Sequence, residues 1–170
     1  MQNSPSLRTA LRHGVRAAAS AATLALIAGC SLLPSSAPDR DADGAVIAQA
    51  ETDVFAVQVG DCINDPGTES VTDITVLPCG ELHDFEAFAA TLMPDGEYPG
   101  DAAATTAATE FCAAEFTAFV GLDYDASVLE MMYFYPVEES WNATDDREIL
   151  CLVADEGEAP VAGTLEDAGK

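Results

Sequence analysis

His83 and Asp84 are the one pair of neighbouring residues with acid–base character outside the general acidity of this chain. A carboxylate beside an imidazole orients the ring and raises its basicity. Nucleophilic catalysis would need a hydroxyl and an oxyanion site as well. Ser70 and Ser140 offer hydroxyls, but neither sits in a Gly-x-Ser-x-Gly elbow. Adjacent residues in a strand also point to opposite faces, which separates the two side chains. The expectation is a protein that is not an enzyme, with His83 and Asp84 as candidate binding contacts. An envelope hydrolase using His83 is the alternative.

Aromatic side chains concentrate at Met131-Met132-Tyr133-Phe134-Tyr135 and at Trp141. Half of a strand's side chains face the core, and the others can form a recognition patch. Tyr135 and Trp141 therefore join the candidate binding residues.

Cys30 carries a different chemistry. Arg8, Arg12 and Arg16 precede an apolar run of twelve residues, Ala17 to Ala28. That run is short for a membrane span and suits a secretory signal. It ends in Ile27-Ala28-Gly29-Cys30, which resembles a bacterial lipobox. In lipoproteins of that kind the Cys thiol takes a diacylglyceryl group and becomes the new N-terminus. Stable anchoring takes two acyl chains, palmitate among them, because one alone holds only marginally. Residues 1–29 are thus expected to be a lipoprotein signal peptide. The mature protein is then lipid-anchored on the extracytoplasmic face of the cell membrane.

The remaining chain is strongly acidic. Only Arg40, Arg147 and Lys170 stand against thirty acidic residues, a net charge of −27 after cleavage and −24 over the full length. Such a surface is repelled by nucleic acid and anionic headgroups, so nucleic-acid binding is excluded as a function class. The expected partners are the membrane, through the anchor, and envelope or division proteins.

With Cys30 assigned to lipid, four cysteines remain: Cys62, Cys79, Cys112 and Cys151. In an oxidising compartment they suggest two disulfides, with three connectivities open. No Cys-x-x-Cys pair or Cys/His cluster of zinc-like spacing occurs, and no metal or cofactor is expected. Asp39-Arg40-Asp41-Ala42-Asp43-Gly44 mimics the first half of an EF-hand loop. Position twelve of that loop would need a bidentate Glu but is Ala50. An acidic linker is the plainer reading, and a cation-binding lipoprotein is the second alternative.

The elements that must position these groups follow from periodicity and punctuation. Residues 30–52 carry Pro34, Pro38, serines and alternating aspartates without an apolar period, and are expected to be a flexible tether. The domain is expected over 53–170. Strands are predicted over 54–59, 73–77, 85–92, 128–135 and 149–153, with one short strand around 161–165. Ile149, Cys151 and Val153 alternate against Leu150 and Leu152. A helix is predicted from Gly100-Asp101 to Val120, capped by Asp101 and stopped at Gly121. Ala104, Ala108, Phe111, Cys112, Phe116, Phe119 and Val120 fall near one face of it. Residues 138–144 suit a short helix or turn. Strands, one long helix, then strands give an α+β fold: a mainly antiparallel sheet with the helix on one face. In that arrangement Cys62 and Cys79 follow neighbouring strands and can be joined. Cys112 on the helix and Cys151 in a strand would staple helix to sheet.

Several pieces together resemble the septum formation domain family of actinobacterial envelope proteins. They are Val59-Gly60-Asp61-Cys62, Val76-Leu77-Pro78-Cys79 with His83-Asp84, and Pro94-Asp95-Gly96-Glu97-Tyr98-Pro99-Gly100. Tyr135-Pro136-Val137-Glu138-Glu139-Ser140-Trp141 and Asp146-Arg147-Glu148 leading to Cys151-Leu152 complete the set. The resemblance covers the domain from about residue 53 to residue 169. It implies an exported, membrane-anchored module linked by name to septation, with no known enzyme activity. The expected role is that of a binding or scaffolding module of the cell envelope, in septation or cell-wall assembly.

Overall fold

The computed structural model describes residues 37–67 and 71–170. Cys30, the lipobox and Ser70 lie outside the described residues. No helix among the described residues is long and apolar enough to cross a membrane.

Among the described residues, six antiparallel strands form one curled sheet: β1 (Ala50–Asp53), β2 (Cys62–Ile63), β3 (Asp73–Leu77), β4 (Phe85–Leu92), β5 (Glu130–Phe134) and β6 (Glu148–Ala154). Their spatial order is β1-β3-β2-β4-β6-β5. Two α-helices lie among the described residues, α1 (Asp101–Val120) and α2 (Glu138–Ala143). This is the expected α+β architecture, with the long helix on one sheet face.

β6 shows why the sheet is buried on both sides. Ile149, Cys151 and Val153 pack toward α1, together with Phe88 and Leu129. Leu150, Leu152 and Ala154 face the opposite way, against Ile63, Ile74, Val76 and Phe85 on the inside of the curl. A bulge between Ala87 and Ala89 in β4 shifts the register. It turns Phe88 and Ala89 toward α1 together, while Ala87 stays on the inner face.

α1 buries every fourth residue: Ala104, Ala108, Cys112, Phe116 and Val120. The small side chains let the first half lie close to the sheet, and Phe116 fills the wider end against Phe88, with ring centroids 6.0 Å apart. Gly100, at φ 92°, is the N-cap and not Asp101. The Asp101 carboxylate instead accepts the Tyr98 hydroxyl at 2.6 Å, which pushes the Tyr98 pKa up to about 12. At the other end Gly121 adopts a left-handed φ of 80° and its N–H closes on Thr117 O.

Both disulfides staple this core. Cys62–Cys79 joins β2 to the turn after β3, and Cys112–Cys151 joins α1 to β6. Loop-closure entropy assigns about 3 kcal/mol to the first and about 4 kcal/mol to the second.

Three local expectations change. The segment predicted as a strand over 54–59 is a tight 3-10 turn over Val54–Ala56, and the strand lies just before it. Asp53 makes that switch by accepting the Phe55 N–H on its side chain. The strand around 161–165 reduces to a single bridge between Val161 and His83. The tether expected over 30–52 is, from Pro38 on, chain packed against the domain. Val46 is buried, and Arg40 forks onto buried Asp61 with contacts of 2.5 and 2.7 Å. Asp61, in turn, holds the Arg40 guanidinium more firmly protonated. Apolar burial and a paired buried carboxylate override the linker-like composition.

Candidate functional site

The candidate binding residues His83, Asp84, Tyr135 and Trp141 do not come together in one site, whereas the four cysteines pair as two disulfides. His83 is fully buried. Its backbone exchanges hydrogen bonds with Val161 at 3.0 and 2.9 Å, which seals the C-terminal segment over it. Its Nδ1 lies 2.9 Å from the Glu81 carbonyl, which can only accept, so Nδ1 carries the proton. Among the described residues, Nε2 is buried without a hydrogen-bond partner. Asp84 points elsewhere and accepts the Asp65 N–H at 2.7 Å. Ser140 is occupied at the start of α2, where its hydroxyl caps Val137 and donates to Asp146. The His83–Asp84 dyad considered for a hydrolase is therefore not assembled.

Trp141 is not an exposed recognition residue either. Only 3% of it is accessible. Its indole N–H donates to Gly96 O at 3.0 Å, and the Arg147 guanidinium lies 3.7 Å from the ring centroid. Arg147 also donates to Trp141 O and Asp145. These bonds turn Trp141 inward and leave the opposite side of α2 facing solvent.

The EF-hand-like aspartates are used locally. Asp41 Oδ1 accepts the N–H groups of Asp43 and Ala45 at 2.9 and 3.0 Å, while Arg40 turns to Asp61. Among the described residues, the donor cluster that could share an ion lies elsewhere, at Cys62, His83 and Glu86. Cys62 and Glu86 are cross-strand partners on β2 and β4, which places their side chains on one face. Glu86 is buried and accepts from Thr164 Oγ1 and Leu165 N, both at 2.7 Å. These contacts pin the C-terminal segment to the sheet.

Among the described residues, a concave surface walled by several elements lies where the curl brings the two ends of the sheet near each other. It is a groove of about 500 Å³. Val54 and Phe55 line one side, after edge strand β1, with Val71 and Thr72 ahead of β3. Tyr133, Phe134 and Tyr135 line the other, from edge strand β5. Leu150 lies in the floor, and α2 adds Val137, Glu139, Ser140 and Ala143. Asp146 and Glu148 complete an acidic side. Two other hollows lie over α1 alone and α2 alone, each walled by a single element.

Two observations mark the groove as unusual surface. Phe55 is 56% exposed and Val137 is 46% exposed, so apolar groups stand in water at its mouth. Burial pushes the Glu148 carboxyl above its ordinary pKa, and the neighbouring Asp146 charge adds to the shift. Tyr135 is the one predicted site residue that the fold places there. Tyr133 and Phe134 belong to the aromatic run that the sequence singles out, and Ser140 to its candidate hydroxyls; the rest of the lining was missed because no local motif unites it, as it comes from segments between residues 54 and 150.

Residues 59–169 match the family described as septum formation. The chain belongs to the septum formation family. No curated protein and no solved structure matches it. The septum formation domain takes in β2 through the C-terminal segment, including both disulfides, His83 and most of the groove. Phe55, β1 and the Arg40–Asp61 pair's arginine lie ahead of the matched span. Membership links the protein to septation and the cell envelope.

Proposed function

We propose that this septum formation protein is a lipid-anchored, extracytoplasmic binding module, and that its groove takes an extended segment of an envelope or division protein. The observation that carries this reading is the free edge of β5 beside the apolar groove. β5 pairs only with β6 among the described strands, so one side of its backbone is available. An added strand along such an edge gains main-chain hydrogen bonds, and alternate side chains enter adjoining pockets. Phe134 and Leu150 offer apolar contact, and Glu139, Asp146 and Glu148 favour a basic side chain. The acidic surface of the rest of the chain selects against anionic partners. The Cys30 lipobox supports the anchor, and the two disulfides suit an oxidising compartment.

The test is site-specific photocrosslinking from the full anchored chain in dividing cells. A photoreactive residue at Phe55 or Val137 is expected to give discrete adducts with envelope proteins. The same residue at Leu82, exposed but outside the groove, is expected to give none of them. Equal adducts from Leu82, or none from the groove, would refute the assignment.

A further inference from the structure

We propose that the reduced chain binds one thiophilic divalent cation of the zinc class through Cys62, Cys79, His83 and Glu86. Closure of the Cys62–Cys79 disulfide evicts that cation.

The donor atoms of Cys62, His83 and Glu86 lie within 4.8 Å of one another, and all three residues are buried. Tetrahedral zinc holds such ligands roughly 3.4–3.8 Å apart, so modest inward shifts close the site. Cys79 Sγ is bonded to Cys62 Sγ and so stands beside the same point. It supplies the fourth ligand once the bond is open.

His83 is the residue that points to a ligand. Its Nδ1 is engaged by Glu81 O, which fixes the tautomer and leaves the Nε2 lone pair without a partner among the described residues. That is how a metal-bound histidine is oriented: one nitrogen held by an outer partner, the other presented to the ion. A buried acceptor without a partner costs stability, and a cation would remove that cost. Glu86 keeps capacity too. A carboxylate has about four acceptor sites, and two hydrogen bonds are placed on Glu86, from Thr164 and Leu165.

The disulfide blocks the site, because a bridged sulfur carries no thiolate charge. A dithiol reductant opens it. Two electrons enter the S–S bond, two protons complete the Cys62 and Cys79 thiols, and the reductant leaves as a disulfide. Metal binding then displaces the two thiol protons. In the reverse step an incoming disulfide accepts two electrons and two protons to become two thiols, the Cys62–Cys79 bond re-forms, and the cation leaves. This staple is the accessible one. Cys79 is only half-buried, whereas Cys112 and Cys151 are both sealed in the core.

The test uses the full chain reduced with a phosphine, which takes up a water oxygen as its oxide. Alkylation and mass spectrometry confirm that Cys62–Cys79 is open and Cys112–Cys151 closed. Native mass spectrometry should then show one zinc on the reduced chain and none on the oxidised chain. Cobalt should give a thiolate charge-transfer band. His83→Gln should weaken zinc binding at least tenfold. Cys79→Ser, oxidised at Cys112–Cys151, offers the remaining three ligands without any reductant and should bind zinc more weakly than the reduced wild type. Equal binding by the oxidised chain, no zinc on the reduced wild type, or unchanged affinity in His83→Gln would overturn the proposal. So would a reduced chain that unfolds and does not refold when zinc is added.

Discussion

The Arg147 guanidinium lies 3.7 Å from the centre of the Trp141 ring and also donates to the Trp141 carbonyl. One side chain thus covers the face of the indole and ties the end of α2 to the start of β6. A cation on a desolvated ring contributes about 2 kcal/mol, and the planar guanidinium stacks where an ammonium cannot. Arg147→Ala is therefore expected to lower stability by about 2 kcal/mol in denaturant titrations, and Arg147→Lys to recover only part of it. A new increase in tryptophan exposure, read by fluorescence quenching, should accompany both. Unchanged stability and quenching would show that Trp141 is held by Gly96 and its other neighbours alone.

Arg40 secures the segment that sequence composition assigns to a tether. Asp61 is 1% exposed and relies on the Arg40 fork and the Gln58 N–H. Removing one partner of a buried pair leaves an uncompensated charge and costs about 3 kcal/mol or more. Arg40→Ala is expected to show that loss, with fast hydrogen exchange appearing over residues 38–46. A loss below half a kilocalorie per mole, the range of ordinary surface changes, would return this segment to the tether.

Glu148 sets a pH dependence. Its folded-state pKa is raised above the ordinary 4.5 by burial, with Asp146 adding to the shift. The folded state therefore holds this proton more tightly than the unfolded chain does. Ionised Glu148 costs stability at neutral pH, and that cost disappears as pH falls through the raised value. Glu148→Gln should melt higher than wild type at neutral pH, with the gap closing as pH drops below the ordinary carboxylate range. A gap that widens on acidification would reverse the assignment. A basic segment bound beside Glu148 should stabilise its charge, so binding should weaken over the same descent.

How much of this was legible beforehand differs from element to element. The helix over 101–120 was readable because Gly100 and Gly121 punctuate it and its buried residues recur at a fixed spacing. The alternation in β6 was equally plain, and it placed Cys151 on the face that meets Cys112. β1 was displaced because Val54–Val59 has strand-like residue types while Asp53 forms a turn through its side chain. Burial of His83 was hidden because the segment that covers it, at Val161, lies 78 residues away. Trp141 looked like a surface residue until Arg147 was seen to cover it. The groove had only a partial signature, the aromatic run ending in Tyr133-Phe134-Tyr135, since curling of the sheet is what brings Phe55 toward Tyr135.

Lipidation at Cys30 is the proposed basis of location. Cys30→Ser should abolish lipid modification, read by labelled palmitate and intact mass, and should shift the protein from the membrane fraction to the soluble one. A variant that stays membrane-bound and unprocessed would show that the leader itself is the anchor.

The most direct measurement is the cellular position of the anchored chain when its groove is spoiled. Phe55→Asp with Val137→Asp adds charge at two exposed sites and should leave fold and membrane attachment intact. Fluorescence microscopy of dividing cells is predicted to show the wild type concentrated at the septum and the double variant spread around the envelope. A double variant that concentrates at the septum as well as the wild type does would contradict the groove as the working surface.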